Sequence, residues 1–381
     1  MEWKDCTLGE ILNFRRGHDL PHSEMQPGNI PVAGSNGIIG YHNVATPVEP
    51  ILTIGRSGNV GKPYFYEKAW AHNTTLYVDD FKGNDPKFLY YLCHTLPFSN
   101  FGGGSAVPTL NRNHIHPLEV RIPQKVSDQR RISSLLSSFD RKIETNNRIN
   151  AVLEEMAQAI FKSWFVDFEP FQDGNFVDSE LGRIPEGWTV GKLGEIAEIV
   201  GGSTPSKSKS EYYTNKGIAW LTPKDLSNNH CVFTSRGEVD ITQQGYNSTS
   251  TKLMPRGAVL FTSRAPIGYI TIASNEICTN QGFKSAVPKI AGTCFLYCLL
   301  KYLTPEIENK STGSTFKEAS CSLMKSLQVT IPTNKIFNKF EKTVLPLFNR
   351  IESIELESSH LSSLRDTLLP RLMSGEIEIP E

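Results

Sequence analysis

Glu2-Trp3-Lys4-Asp5-Cys6-Thr7-Leu8-Gly9-Glu10-Ile11 returns later in the chain as Gly187-Trp188-Thr189-Val190-Gly191-Lys192-Leu193-Gly194-Glu195-Ile196, with the spacing from Trp to Leu-Gly-Glu-Ile unchanged at an offset of 185. A second piece, Leu118-x-Val120-x-Ile122-Pro123, returns as Leu327-x-Val329-x-Ile331-Pro332 at an offset of 209. The helix-like segments that follow each copy match at an offset of 208. A repeat this long is a duplicated domain rather than a solenoid unit of about 20–50 residues. Duplication predicts pseudo-two-fold architecture and two similar jobs done at two places.

The two copies, 1–125 and 188–332, read alike in kind. Both mix short β-like runs (Ile51-Leu52-Thr53-Ile54; Ala258-Val259-Leu260-Phe261) with Gly, Asn, Ser and Pro turns, and each has one helix-like patch, Pro86 to Leu96 and Thr293 to Leu303. That pattern is α+β with long surface loops, and loops on a rigid scaffold commonly carry recognition.

Residues 128–165 and 336–373 differ: glycine vanishes and a heptad appears. One register reads Ile132, Phe139, Asn146, Leu153, Ile160 and the other Leu136, Ile143, Asn150, Ala157, Trp164. Adding 208 gives Phe340, Leu347, Ile354, Leu361, Leu368 and Val344, Ile351, Ser358, Arg365, Leu372. Apolar spacing of this kind over four heptads predicts a coiled coil, with Asn146, Asn150 and Ser358 as polar seam positions that fix register. An antiparallel pairing of the two helices suits a duplicated chain, although each could instead pack on its own copy or on another protein. Pro370 predicts a kink or an end near Leu369. The link 169–187, with Pro170, Gly174, Pro185 and Gly187, returns the chain to the second copy.

At 381 residues, 39% of them hydrophobic, each copy can bury an ordinary core. No apolar run reaches the roughly 18 residues of a membrane span, and the polar N-terminus is unlike a signal peptide. Seven scattered cysteines predict a reducing cytoplasm, and Cys294-x-x-x-Cys298 reads as two core positions on a helix rather than a metal site. The net charge of −1 is uneven: 0 for 1–125, 0 for 126–168, −4 for 169–187, +5 for 188–332 and −2 for 333–381. A basic copy beside acidic connectors permits nucleic-acid binding without demanding it.

Gly55-Arg56-Ser57-Gly58-Asn59-Val60-Gly61-Lys62-Pro63 looks like a phosphate loop and fails as one. The interval between its outer glycines is one residue too long, and Pro63 replaces the magnesium-binding Ser/Thr. What both copies share is a strand followed by a turn with an Arg (Arg56, Arg264), then Asn73-Thr74 or Asn280-Gln281. Arg, Asn and Gln can pair bidentately with base edges. They also form polar turns with local backbone bonds, and residue type alone leans that way. The second copy adds Ser203, Thr204, Lys207 and Lys224 in a stretch with Tyr212, Tyr213 and Trp220. Hydroxyls, lysines and aromatics together suit phosphate contact and stacking, but a flexible Ser/Lys-rich loop has the same composition. His114-x-His116 has no further ligands and reads as a turn cap. No cofactor fingerprint, nuclease cluster, nucleophile elbow or paired carboxylate recurs in both copies, which points to a binder.

With these residues in hand, the chain resembles the specificity (S) subunit of type I restriction–modification enzymes over nearly its full length. The resemblance is carried by the Trp-x4-Leu-Gly-Glu-Ile openings, the Ile-Pro junctions and the Gly-x-Thr-Pro with Trp-x-x-Pro-Lys-Asp stretch of the second copy. Its most specific marks are Ile160-Phe161-Lys162-Ser163-Trp164-Phe165-Val166-Asp167-Phe168 and Leu369-Pro370-Arg371-Leu372-Met373-Ser374-Gly375-Glu376-Ile377. It implies target recognition domains at 1–125 and 188–332, spacer helices at 126–168 and within 333–381, and a linker at 169–187. It implies double-stranded DNA as ligand, two methyltransferase (M) subunits that carry S-adenosylmethionine, and restriction (R) subunits that use ATP and Mg. This chain itself would hold no cofactor, metal or catalytic residue. Arg56, Asn59, Asn73, Thr74, Ser203, Thr204, Lys207, Lys224, Arg264, Asn280 and Gln281 become the expected DNA contacts. Phe14-Arg15-Arg16-Gly17-His18-Asp19-Leu20-Pro21 stands where the second copy has Gly-Ser-Thr-Pro-Ser-Lys, so the halves should read different bases. The other readings are a structural adaptor binding proteins through both repeats, and an enzyme half-site completed by a partner.

Overall fold

The computed structural model describes residues 1–101, 109–228, 231–313 and 317–379. Contacts divide the chain into two units: Met1–Glu144 with the segment from Ser358 onward, and Thr145–Glu357. The fold is α+β, and each unit contains one copy of the repeat and a stretch of both long helices.

The duplication is visible in sheet order. In the first unit β1 (Asn13–Arg16), β2 (Ile51–Gly55), β3 (Pro63–Tyr66) and β4 (Thr75–Asp80) lie in the order β1-β4-β2-β3, all antiparallel. In the second, β5 (Ala197–Gly201), β6 (Val259–Ser263), β7 (Ile267–Ala273) and β8 (Lys284–Pro288) repeat it as β5-β8-β6-β7. The central strands β2 and β6 are buried throughout, which is why they read as continuous runs rather than alternating ones.

Both pieces of the sequence repeat meet in one ladder. Trp3–Thr7 pairs antiparallel with Glu119–Pro123, and Thr189–Lys192 with Gln328–Ile331. The Ile-Pro that ends each run removes a ladder donor just before a long helix begins. Leu-Gly-Glu-Ile is a single helical turn in both units. Its glutamate reaches back over the turn: Glu10 accepts the Thr7 N–H at 2.6 Å and Glu195 the Lys192 N–H at 3.2 Å. That satisfies a donor the helix cannot. The Thr7 N–H, then its hydroxyl, hold the Glu10 carboxyl below its ordinary value. Leu8, Ile11, Leu193 and Ile196 are buried beneath the turn.

Helix α1 (Pro86–Thr95) belongs to the first unit and α3 (Thr293–Lys310) to the second. The sequence patch for α3 stopped at Leu303, but the helix continues through Pro305 because Ile307 still has core to bury. Cys294 and Cys298 are core positions on it.

The long helices are α2 (Val126–Phe165) and α4 (Asn334–Met373), 40 residues each. Within each unit their segments run antiparallel. In the first, Arg365 pairs with Asp140, and Arg131 donates to the Ile379 carbonyl further along. In the second, Asn146 donates to Glu357 at 3.0 Å, while Phe161 and Trp164 lie 6.2 and 5.9 Å from Phe340. Ile132, Leu136, Ala157, Phe340, Val344, Ile351, Ile354 and Leu372 are buried, as are Asn146 and Asn150. Phe139, Ile143, Leu153, Ile160, Trp164, Leu347, Leu361 and Leu368 are half-buried, and so are Ser358 and Arg365. Phe161, Phe165, Phe337 and Phe348, outside the expected register, are more deeply buried than Ile160 or Trp164. The helices bury a wider stripe than a two-position seam because each also packs on a globular copy.

One expectation is corrected: helix α4 does not end at Leu369 but runs through Pro370 to Met373. Pro370 is exposed, so the carbonyl it frees faces water, and burial of Leu372 and Met373 holds the last turn. The chain then turns at Gly375, where φ is +76° and an added Cβ would lie 2.8 Å from the Trp3 ring. Within the 169–187 link, Phe176–Ser179 and Gly182–Pro185 form a hairpin.

The family-like motifs end as packing. The rings of Phe165, Phe168 and Phe171 close on Trp188 at 5.8, 5.6 and 5.0 Å. In the first unit Leu368, Leu369, Leu372, Met373 and Ile377 join the core that includes Trp3. Burying each such side chain contributes about 1.5–3 kcal/mol, more than an exposed cap contributes, so these clusters dominate the helix-end energetics.

Candidate nucleic-acid interface

Three loops meet at one edge of each sheet: those after β1, after β2 and before β4, with their counterparts after β5, after β6 and before β8. In the first unit Gly17 N–H bonds to Thr75 O at 3.0 Å and Arg56 N–H to Thr74 O at 2.8 Å. Leu110 N–H closes the third side on Arg56 O at 2.8 Å. In the second, Ser203 N–H bonds to Thr279 O at 3.0 Å and Ser263 N–H to Gly282 O at 2.7 Å. Glycine is required where the loops touch. A Cβ at Gly17 would sit 2.1 Å from His72 O, and one at Gly202 2.0 Å from Asn280 O.

In the first unit these loops open onto a groove of about 1130 Å³ lined by Arg15, Arg16, Arg56 and Arg112, with His18 and His114. Arg15 pairs with Asp79 at 2.5 Å, Arg16 with Asp19 at 3.5 Å, and Arg112 donates to Phe14 O at 3.3 Å. His116 stacks on Phe14 and accepts its N–H at 3.1 Å, so it supports β1 beyond capping a turn. Burial, then Arg112, lowers the His116 pKa; burial lowers that of His72 against the pull of Asp19. Both shifts favour the neutral imidazole, and the groove's permanent positive charges are its four arginines.

The expected contact residues fall into three groups. Arg56, Asn73 and Thr74 come together, but the Asn73 amide donates to Asp19 and the Thr74 hydroxyl is engaged by His72 and Ser35. Asn59 is exposed on the turn between β2 and β3. In the second unit Ser203, Thr204, Asn280, Gln281 and Arg264 come together: Thr204 bonds to Gln281, and Asn280 Oδ1 accepts Gly282 N–H at 2.8 Å. Lys207 is an exposed loop cation, whereas Lys224 pairs with Glu238 at 3.2 Å. The surrounding Trp-x-x-Pro-Lys-Asp is scaffold: Trp220 Nε1 donates to Ser203 O, and Asp225 accepts the N–H groups of Thr222 and Glu238.

The candidate loops also bring in Arg15, Arg16, Arg112, Lys284 and Glu318, none of which the sequence reading named as a contact. The Arg15-Arg16 doublet was a signal, masked by the zero net charge of 1–125. Arg112 and Glu318 are far in sequence from the loops they join. Among the described residues no group of three or more His, Cys, Asp or Glu is placed to hold a metal ion, and no helix is long and apolar enough to cross a membrane.

A family model described as the type I restriction modification DNA specificity domain matches residues 1–155 and 185–358. The chain is 30% identical over 314 residues to the MjaIX specificity subunit of Methanocaldococcus jannaschii, covering 77% of this chain and 70% of that one. It is 28% identical over 444 residues to the HindI specificity subunit of Haemophilus influenzae, covering 97% and 93%. The crystal structure of a type I restriction–modification S subunit from M. genitalium shares the fold, with a TM-score of 0.61 at 19% identity over 98% of this chain and 96% of that one. Duplicated sheets, paired long helices and this match over both copies make the chain a member of the type I restriction–modification specificity subunit family.

Proposed function

We propose that this chain is the non-catalytic DNA-reading subunit of a type I restriction–modification complex. Each recognition copy would read one half of a two-part, asymmetric target, and the long helices would set the gap and dock two methyltransferase subunits. S-adenosylmethionine would enter with those subunits, and ATP and Mg with the restriction subunits. The observation that carries the reading is the convergence of three equivalent loops in both units, each with Arg and amide side chains suited to base edges and phosphates. The two clusters differ in sequence, hence two unlike half-sites. The names of the relatives, each a specificity subunit of a type I restriction enzyme, support the same reading. The cytoplasm, where cellular DNA is, is the compartment that fits.

The test is to sequence methylated adenines in DNA from cells carrying this chain with its methyltransferase partner. A single two-part motif with unlike halves is expected, and purified chain alone should transfer no methyl group from S-adenosylmethionine. Methyl transfer by the chain alone, or a methylation pattern indifferent to its presence, overturns the reading.

A further inference from the structure

We propose that Glu318 is a positioning residue that sets the base preference of the second recognition copy by holding Arg264; the inference rests on the DNA-reading function above. Arg264 opens the loop after β6, and its side chain is 36% exposed. Its Nη1 donates to Glu318 Oε2 at 3.4 Å, while Lys284 Nζ donates to Glu318 Oε1 at 3.1 Å. Lys284 is only 12% exposed and is itself fixed, donating to Ser263 Oγ and Gln281 O, each at 3.3 Å. The Glu318 backbone is pinned on both sides: its N–H bonds to Thr312 O at 2.9 Å, and Ala319 N–H to Ser263 O at 3.0 Å. The carboxylate is therefore clamped in place, unlike a mobile surface group.

Stability does not account for the Arg264 contact, since an ion pair this exposed contributes little. Affinity does not either, because a carboxylate in a DNA-facing loop repels phosphate whatever the sequence. Orientation does. A loop arginine must surrender its rotamer freedom to bind a base edge with its fork. The single contact to Glu318 occupies one of five guanidinium donors and leaves the others for a ligand. A carboxylate that costs general affinity while aligning one arginine raises discrimination. In the first copy Leu110 N–H bonds to Arg56 O, and the residue before Leu110 is the uncharged Thr109, where Glu318 precedes Ala319.

The experiment uses the full chain, alone and with its methyltransferase partner, to select from duplexes with a randomised core. Binding to a random-sequence duplex is measured in parallel. Wild type should enrich a two-part motif. Glu318→Gln should make one or two positions degenerate in one half only, and should tighten random-duplex binding about two- to fivefold. Arg264→Lys, which keeps the charge and loses the fork, should blur those same positions. A tightened Glu318→Gln variant with its motif intact would leave Glu318 as a counter-charge and overturn the inference. So would degeneracy at positions that Arg264→Lys does not touch. A wild-type chain that enriches nothing overturns the DNA reading itself.

Discussion

The carboxylate of Glu341, on a long helix, accepts the backbone N–H of Phe295 at 2.8 Å and so caps a helix whose own N-cap residue, Gly292, has no side chain. The first unit solves the same problem the other way round. There the N-cap is Asp85, which accepts Phe88 N–H at 2.8 Å, and the long helix presents Ser133, whose hydroxyl bonds to Asp85 at 2.8 Å. Ser133 and Glu341 are 208 positions apart, the offset of the helical repeat. The carboxylate has changed sides of the contact while the cap persists.

Transplanting one solution into the other should therefore work. Glu341→Ser should cost about 1–2 kcal/mol, the range for a lost cap. Gly292→Asp alone should also destabilise, because a Cβ there lies 2.1 Å from Glu341 Cδ. Together they rebuild the Asp–Ser pair, at a φ of −79° open to any residue. The double variant should return to within about 0.5 kcal/mol of wild type in urea unfolding. Simple additivity of the two losses would refute the exchange.

Glu355 makes stability depend on pH. Burial pushes its carboxyl up to about 7, against the Val232 and Phe233 N–H groups that favour the charged form. A folded-state value above the ordinary 4.5 means the folded chain binds the proton more tightly. This contribution is full below 4.5 and is lost as pH rises through about 7. Glu355→Gln should flatten that slope, so that stability relative to wild type rises by on the order of 1–3 kcal/mol between pH 5 and 8. Parallel urea midpoints across this range would rule it out.

Position on the long helices decides the damage of a charge. Ile351 is fully buried, so Ile351→Asp should cost upwards of about 3 kcal/mol and lower the melting temperature sharply. Leu356 is 57% exposed, so Leu356→Asp should stay within about 0.5 kcal/mol. Half-buried Ile143 should fall between them.

In the first recognition copy the arginine groove should act on phosphate. Arg16→Ala or Arg112→Ala should weaken binding to all duplexes alike and lower the slope of log affinity against log salt by about 1. Arg264→Ala should instead cost about 1–3 kcal/mol at one half-site. A base-specific loss from Arg112 would move it from the backbone class to the reading class.

The helices should behave as the ruler of the target. Seven residues inserted at matched points of α2 and α4 preserve the heptad and should lengthen the gap while leaving both half-sites unchanged. Seven in one helix alone should unpair them. A changed half-site with an unchanged gap would end the ruler reading.

What could be read from the sequence was whatever repeats or keeps a period. The Trp3 and Trp188 repeats and both long helices were visible because spacing and period show them, whereas the Glu10 and Glu195 caps emerged only with the structure. Phe161 and Phe348 were assigned no seam role, since a heptad template ignores the globular copy pressing on the same helix. Pro370 was overweighted, because propensity knows nothing of Leu372 and Met373 anchoring the turn beyond it. In the candidate loops, Arg56 and Arg264 stand out by their shared turns. Arg112 and Glu318 do not, because loops distant in sequence converge only when the sheet forms.

The division of the chain also bears on its synthesis. Thr145–Glu357 is one continuous run, whereas the other unit needs Met1–Glu144 and residues from Ser358 onward. More than 200 residues must leave the ribosome between those two parts, about 10–40 s of translation. Through that interval Trp3, Ile132 and Leu136 lack the cover that Leu372 and Met373 supply. The continuous unit can therefore close its core while the other still lacks part of its own. A premature stop just past Glu357 would leave one recognition copy whole and the other open.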